Sequence, residues 1–236
     1  MRVLLVKLSS LGDVVHTLPA AMDIRRSVPG VQIDWVVEPA FAPLVRLCPA
    51  LHRVIEMDLR RWRKSLLSGQ TRVAWQLFKQ HLQAQSYDRA IDLQGLTKSA
   101  LVSRLARLSL QGQRIAMANR TEGSSYEAPT RWVADRLIEL PPHIHAVDRA
   151  RRVCAQALGY EVPEDFQAGM QISAQPTADH QVVCVHGTSR EDKLWPEAHW
   201  LALGHQLLQQ GQVPVFVHGN ADELARSHRL ATDLPG

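Results

Sequence analysis

Met1-Arg-Val-Leu-Leu-Val-Lys-Leu-Ser-Ser-Leu-Gly-Asp-Val-Val-His-Thr-Leu-Pro-Ala20 opens the chain. The apolar run Val3 to Val6 meets a small polar turn of Ser9, Ser10, Gly12 and Asp13. Val14, Val15, Leu18, Ala21 and Met22 then recur at helical spacing. Strand, tight turn and helix in that order begin a βαβ unit. In open α/β sheets such turns lie at the carboxyl ends of strands, where ligands bind. Asp13 is the one carboxylate on this turn. Ser10 and Asp13 also suit a plain helix start, because an acid in the first turn is favoured by the helix dipole.

Working outward, the same alternation repeats. Ser27-Val-Pro-Gly30 reads as a stop and turn, Val31 to Val37 as a second strand, Phe41 to Leu47 as a short helix and Val54 to Met57 as a third strand. A long helix is predicted from about Thr71 to Gln85, a strand over Arg89 to Leu93, and a helix over Ala100 to Leu108. Arg114 to Met117 reads as a fifth strand and Asn119 to Thr130 as a loop, before a helical region over 131–158 interrupted at Pro141-Pro142. Strands separated by helices predict a parallel sheet covered on both faces. Between about Gly159 and His180 apolar residues thin out, so a linker is placed at 161–177. The expected domains are therefore 1–160 and 178–236. Strands at Val182 to Val185 and Val213 to Val217, with a helix entered through Trp195-Pro196 between them, begin a second α/β unit. Domains commonly run to about 100–150 residues. Two strands and two helices cannot cover both faces of a parallel sheet, so this second unit reads as incomplete.

The 236 residues are 45% hydrophobic and 21% charged, ordinary values for a packed protein. No apolar run reaches the roughly 20 residues of a membrane span. Cys48, Cys154 and Cys184 are odd in number and widely spaced, which gives neither a disulfide framework nor a zinc pattern. With the first strand beginning at once and no signal peptide ahead of it, a cytoplasmic protein is expected. A net charge of +4 points to an anionic partner.

Four constellations could carry chemistry. Asp13 could accept the proton of a hydroxyl as that hydroxyl attacks an electrophile. Arg60-Arg61-Trp62-Arg63-Lys64 is the densest basic cluster, suited to phosphates or carboxylates and equally to solvated surface. No nucleic-acid motif accompanies it. Val182 to Val185 runs into His186-Gly-Thr188-Ser189, with Lys193 five residues beyond the threonine. Hydroxyls, backbone N–H groups and an ammonium converging there would suit a phosphate, although the spacing is not that of a P-loop. Glu223, following Val217-His-Gly219, fits either a ribose contact or helix capping. The first turn lacks G-x-G-x-x-G, which argues against a nicotinamide-dependent oxidoreductase.

In this order the segments resemble the lipopolysaccharide heptosyltransferases that use ADP-heptose. The matching stretches are Lys7 to Ala20, Asp34-Trp-Val-Val-Glu38, Arg60 to Lys64, Asp92-Leu-Gln-Gly-Leu-Thr-Lys-Ser99, and His186 to Trp200. The Arg-Arg-Trp-Arg-Lys run favours type I of that family over type II. The resemblance implies two Rossmann-like domains in a GT-B arrangement, the first binding acceptor and the second the nucleotide sugar. It implies heptose transfer from ADP-heptose to Kdo of Kdo2-lipid A with inversion, Asp13 acting as general base. Thr188, Ser189, Lys193 and Glu223 would bind the donor, with Lys193 stabilising charge on the leaving ADP. Ser10, Gly12, Arg60, Arg61, Arg63, Lys64 and Arg120 would bind the acceptor. No cofactor or metal and no nucleic acid is implied, and the work would lie at the inner face of the bacterial inner membrane in peripheral contact with it. The family's Asp-Thr-Gly-x-x-His turn has no counterpart in these residues. The resemblance therefore implies weak donor binding and little turnover by the 236 residues alone. The competing expectations are an ADP-heptose transferase with another acceptor, such as type II, and a non-catalytic basic module on anionic lipid.

Overall fold

The computed structural model describes residues 1–65, 68–171, 180–188 and 190–234. Contacts divide the chain into Met1–Ile172 and Ser173–Gly236. Both units are α/β, and every strand pairing among the described residues is parallel.

The first unit contains β1 (Arg2–Val6), α1 (Leu11–Ser27), β2 (Gln32–Val37), α2 (Ala42–Val45), β3 (Arg53–Glu56), α3 (Leu59–Lys64), α4 (Gly69–Gln83), β4 (Tyr87–Asp92), α5 (Thr97–Leu105), β5 (Leu108–Met117), α6 (Pro129–Val133), β6 (Arg136–Ile138) and α7 (Ala146–Leu158). The sheet order is β3-β2-β1-β4-β5-β6. The central strand β1 is apolar on both sides because both its faces are covered. Val3 and Leu5 enter one core with Leu18 and Ile24 of α1 and Val153 of α7. Leu4 and Val6 enter the other with Trp62, Phe78, Leu82 and Val102 from α3, α4 and α5. Complete burial of each such side chain contributes about 1.5–3 kcal/mol.

Two sequence expectations are corrected here. The helical region expected over 131–158 is divided by β6, a three-residue edge strand paired with β5 from Ile115–Arg136 to Met117–Ile138. Three residues are too few to show a period, and Pro141-Pro142 delay the helix to Ala146. The helix expected to reach Leu108 stops at Leu105, because Leu108 already pairs with Tyr87 at the start of β5. Within the stretch expected as a linker, residues 161–171 pack with the first unit. The Pro163 carbonyl accepts from Arg151 Nη2 at 2.6 Å, and Gln171 N–H donates to the Leu47 carbonyl at 2.9 Å. Residues 172–179 lie outside the described residues.

The second unit comprises β7 (Gln181–Cys184), α8 (Glu197–Gln209), β8 (Val213–Phe216) and α9 (Ala221–Thr232), with β7 and β8 paired. Cys184 and His186 are buried toward the helices, His186 Nε2 lying 2.8 Å from Ser227 Oγ of α9. On the other face Val183 and Val185 are exposed, as one-sided cover of a two-stranded sheet requires.

Candidate functional site

The strand order places β1 between β2 and β4, so the connections from β1 and from β4 leave the sheet on opposite sides. Ligand sites of parallel sheets form at such a switch point, beyond the carboxyl ends of the strands. The segments that converge there are Lys7 to Asp13 after β1, Glu38 after β2, Gln94 to Lys98 after β4 and Asn119 to Thr121 after β5.

Asp13 sits in the first turn of α1, its side chain about one-third exposed. Its Oδ2 accepts from the Ser10 N–H at 3.2 Å and from Ser10 Oγ at 3.0 Å, while Lys7 Nζ lies 3.5 Å from Oδ1. Burial opposes its ionisation. The Lys7 charge and the Ser10 donors outweigh that and hold the carboxyl below its usual range. Lys7 is itself buried and donates to the Leu93 carbonyl at 3.0 Å. Burial brings its ammonium below the ordinary lysine value, only partly offset by Asp13. Asp13 is thus a carboxylate at neutral pH, with its side chain fixed from two directions.

A second set braces the site. Glu38 is buried and meets Lys98 Nζ at 3.1 Å through Oε1 and Arg60 Nε at 2.8 Å through Oε2. Lys98 also donates to Ser9 Oγ at 2.9 Å, which ties the turns after β1, β2 and β4 together. Gln94 Oε1 accepts from the Leu8 and Ser9 N–H groups at 3.0 and 3.1 Å. Asp92 is wholly buried and accepts from the Gln94 and Gly95 N–H groups and from Ser99 Oγ. Burial pushes its carboxyl up to about 6. Gly95 has φ +76°, and a Cβ there would meet the Ser125 carbonyl at 2.6 Å, so this turn requires glycine. Arg149 of α7 donates to Thr121 Oγ1 at 3.1 Å and to the Glu122 carbonyl at 3.0 Å, fixing the loop that carries Arg120.

The acceptor residues expected from sequence fall into distinct situations. Ser10 is engaged by Asp13, so it orients the carboxylate. Gly12 faces open space, since a Cβ there would meet nothing within 4 Å. Arg60 pairs with Glu38, whereas Arg61, Arg63, Lys64 and Arg120 are exposed. The helix α3 that presents the cluster is capped by Asp58, which accepts from the Arg61 N–H at 3.2 Å. Trp62 anchors it, packing edge-on to Trp75 of α4 at 5.6 Å.

In the second unit, Glu223 joins two strand ends. Its Oε2 accepts from the Gly219 N–H at 2.7 Å, and its carboxylate lies against Gly187. Thr188 and Lys193 are exposed, and Ser189 lies outside the described residues. Among the described residues no hydrogen bond or ion pair joins Thr188, Lys193 and Glu223.

Sequence reasoning assigned no role to Lys7, Glu38, Lys98, Asp92 or Arg149. The available signal was a charged residue immediately after, or at the end of, an apolar strand, which Lys7, Glu38 and Asp92 all show. The sequence pattern of glycosyltransferase family 9 (heptosyltransferase) matches residues 75–236. Lipopolysaccharide heptosyltransferase 1 of Pseudomonas aeruginosa is 41% identical over 245 residues, a match covering 99% of this chain and 65% of that protein. Lipopolysaccharide heptosyltransferase 1 of Escherichia coli K12 is 39% identical, covering 98% of this chain and 72% of its own length. The solved structure of E. coli heptosyltransferase WaaC with ADP-2-deoxy-2-fluoro heptose matches at a TM-score of 0.88 and 36% identity, covering 99% of this chain and 74% of that one.

Proposed function

The chain belongs to glycosyltransferase family 9, the heptosyltransferases, and from that premise we propose that it serves transfer of L-glycero-D-manno-heptose from ADP-heptose to Kdo of Kdo2-lipid A. The observation that carries the reading is Asp13, an ionised, oriented and partly exposed carboxylate at the switch point of the first sheet. The Kdo hydroxyl attacks the anomeric carbon and loses its proton to Asp13, while the bond to ADP breaks and ADP leaves with the electron pair. This single displacement inverts the carbon and needs one base and no covalent enzyme intermediate.

The exposed cations Arg61, Arg63, Lys64 and Arg120 meet the acceptor's carboxylates and phosphates, with Ser10 and Gly12 beside the base. Arg60 supports that cluster while neutralising Glu38. Lys193, with Thr188 and Ser189, holds the pyrophosphate of the donor and stabilises charge as ADP departs. Glu223 accepts from the adenosine ribose. No helix among the described residues is long and apolar enough to cross a membrane. The protein works peripherally at the inner face of the bacterial inner membrane.

The test is incubation with ADP-heptose and Kdo2-lipid A, followed by mass analysis for an acceptor heavier by one heptose. Product is expected from the chain extended over the rest of its relatives' length and none from that version with Asp13→Asn, while the 236 residues alone are expected to turn over little. Product only with heptosyl-Kdo2-lipid A would move the acceptor to the next sugar. Equal product from Asp13→Asn would remove Asp13 as the base.

A further inference from the structure

Positive charge is distributed unevenly. From Leu59 to Tyr87 the sequence contains no Asp or Glu, yet it holds Arg60, Arg61, Arg63, Lys64, Arg72 and Lys79. That stretch is more positive than the whole chain, whose net charge is +4. It forms α3 and α4, the helices packed beside the edge strand β3. The aromatic rings of this pair face inward. Trp62 is 6% exposed and contacts Trp75 and Phe78 at centroid distances of 5.6 and 5.7 Å. With its aromatic side buried, α4 still presents Val73 and Leu77 to solvent, 56% and 49% exposed. These two are one turn apart and share a face. Arg72 and Lys79 are also exposed, about 100–120° around α4 from Val73, on the other flank of its solvent side.

Leu77 also lines the same cavity, about 620 Å³, as Arg61 and His81, so the apolar residue of α4 and the basic face of α3 open onto one surface. The acids at its wall are already engaged. Glu56 pairs with Arg46, and Asp58 caps α3. A surface that combines unopposed cations with aliphatic side chains standing in water fits one class of partner. Cations meet lipid phosphates, and apolar residues enter the boundary between headgroups and acyl chains. A nucleic-acid strand would call for exposed aromatic faces on which bases stack, and here the rings are turned inward.

We propose that the outer faces of α3 and α4 form the surface on which this protein rests on an anionic bilayer, with Arg72 and Lys79 at the phosphates and Val73 and Leu77 at the acyl boundary. The proposal deepens the acceptor reading above, which supplies the reason for a lipid surface next to the acceptor cations. It extends the contact to α4, beyond the cluster on α3.

Co-sedimentation with phosphatidylcholine vesicles, with and without phosphatidylglycerol, tests it. Binding is expected only to the anionic vesicles and to fall with added salt. The pair Arg72→Gln and Lys79→Gln is expected to weaken it about thirtyfold, at the strength typical of basic residues near a charged membrane. The pair Val73→Ser and Leu77→Ser, which keeps every charge, is expected to weaken it about tenfold. All four positions are exposed, so unchanged melting curves would establish that both variants are folded. Equal binding to neutral vesicles, native-like binding by both variants, or displacement of vesicles by trace single-stranded RNA would each overturn the proposal. Vesicles of these lipids contain neither donor nor acceptor sugar, so the result stands apart from the transferase reading. Vesicle binding without heptose transfer would defeat that reading alone, and transfer without vesicle binding would defeat this one alone.

Discussion

The Lys7 ammonium lies 3.5 Å from Oδ1 of Asp13 and is held in place by the Leu93 carbonyl at 3.0 Å. This cation acts on the carboxylate through its charge, from the side of the sheet rather than from the solvent side. Lys7→Met preserves the length and packing of the side chain and removes the charge. The acidic limb of the transfer rate against pH is then expected to move upward, because the carboxyl loses a cation that holds its value down. A carbon NMR titration of Asp13 in the protein without substrate reads the same shift directly. Coincident titration curves for the native protein and Lys7→Met would show that Lys7 supports only the fold.

Asp13→Asn separates chemistry from stability. The amide oxygen still accepts from the Ser10 N–H and hydroxyl, so the start of α1 keeps its bonds. The lost interaction with the helix dipole costs about 0.3–1 kcal/mol. Transfer is expected to fall by about 10²–10⁴-fold, the range of a removed general base. Thermal unfolding and initial rates measured on one preparation check both numbers. A large drop in stability with a proportionate drop in rate would make the residue structural.

The strand, turn and helix at the start of the chain were legible because a continuous apolar run, Val3 to Val6, meets helical spacing from Val14 onward. The strand β6 was not, because three residues carry no period and its assignment depends on pairing with β5. Asp13 was visible as an acid on a ligand-side turn. Its control by Lys7 was not visible, since nothing local shows that the ammonium folds back under the turn. The Glu38–Lys98 pair joins residues 60 positions apart, which only the strand order brings together. The basic run at Arg60 to Lys64 read as uniform, whereas the structure divides it. Trp62 is buried, Arg60 is paired, and the remaining three cations are exposed.

That division has a measurable consequence. Arg60→Ala removes one of the two cations on buried Glu38 as well as a surface charge. It is expected to lower stability by about 1 kcal/mol, a figure already reduced for the exposure of the guanidinium. Arg63→Ala is expected to leave the melting curve unchanged and to weaken acceptor binding alone. Comparing melting temperatures with acceptor KM for the two variants separates these effects. An equal loss of stability in both would mean that the Arg60–Glu38 contact contributes nothing.

Arg151 and Asp23 form a buried ion pair between α7 and α1, with Nε 2.6 Å from Oδ2. Arg151 also donates to the Pro163 carbonyl at 2.6 Å, so it holds the stretch after α7 against the first unit. Arg151→Ala leaves a carboxylate buried without its partner and is expected to cost about 3–5 kcal/mol. Chemical denaturation gives the number. Limited proteolysis is expected to find new cleavage between residues 161 and 171. A loss below about 1 kcal/mol would show that water replaces the guanidinium at Asp23.

Asp92 should make the stability of the first unit depend on pH in the direction opposite to a salt-bridged acid. Burial raises its carboxyl from 3.8 to about 6, against the opposing pull of the Gly95 and Gln94 N–H groups, the Ser99 hydroxyl and the Lys7 charge. The folded protein therefore holds this proton more tightly than the unfolded chain does. The stabilising contribution is complete below about 3.8, declines as pH rises, and is gone above about 6. Asp92→Asn removes the titration while keeping the bonds. Its oxygen still accepts from Gln94 and Gly95, and its amide can donate to Ser99 Oγ, whose own proton goes to the Leu96 carbonyl at 2.7 Å. The variant is expected to gain stability over the native protein as pH rises through that window, up to a ceiling of about 3 kcal/mol. Denaturation curves at a series of pH values measure the difference. A difference that stays constant across the window would mean that Asp92 binds its proton equally in the folded and unfolded states, its hydrogen bonds and the Lys7 charge offsetting its burial.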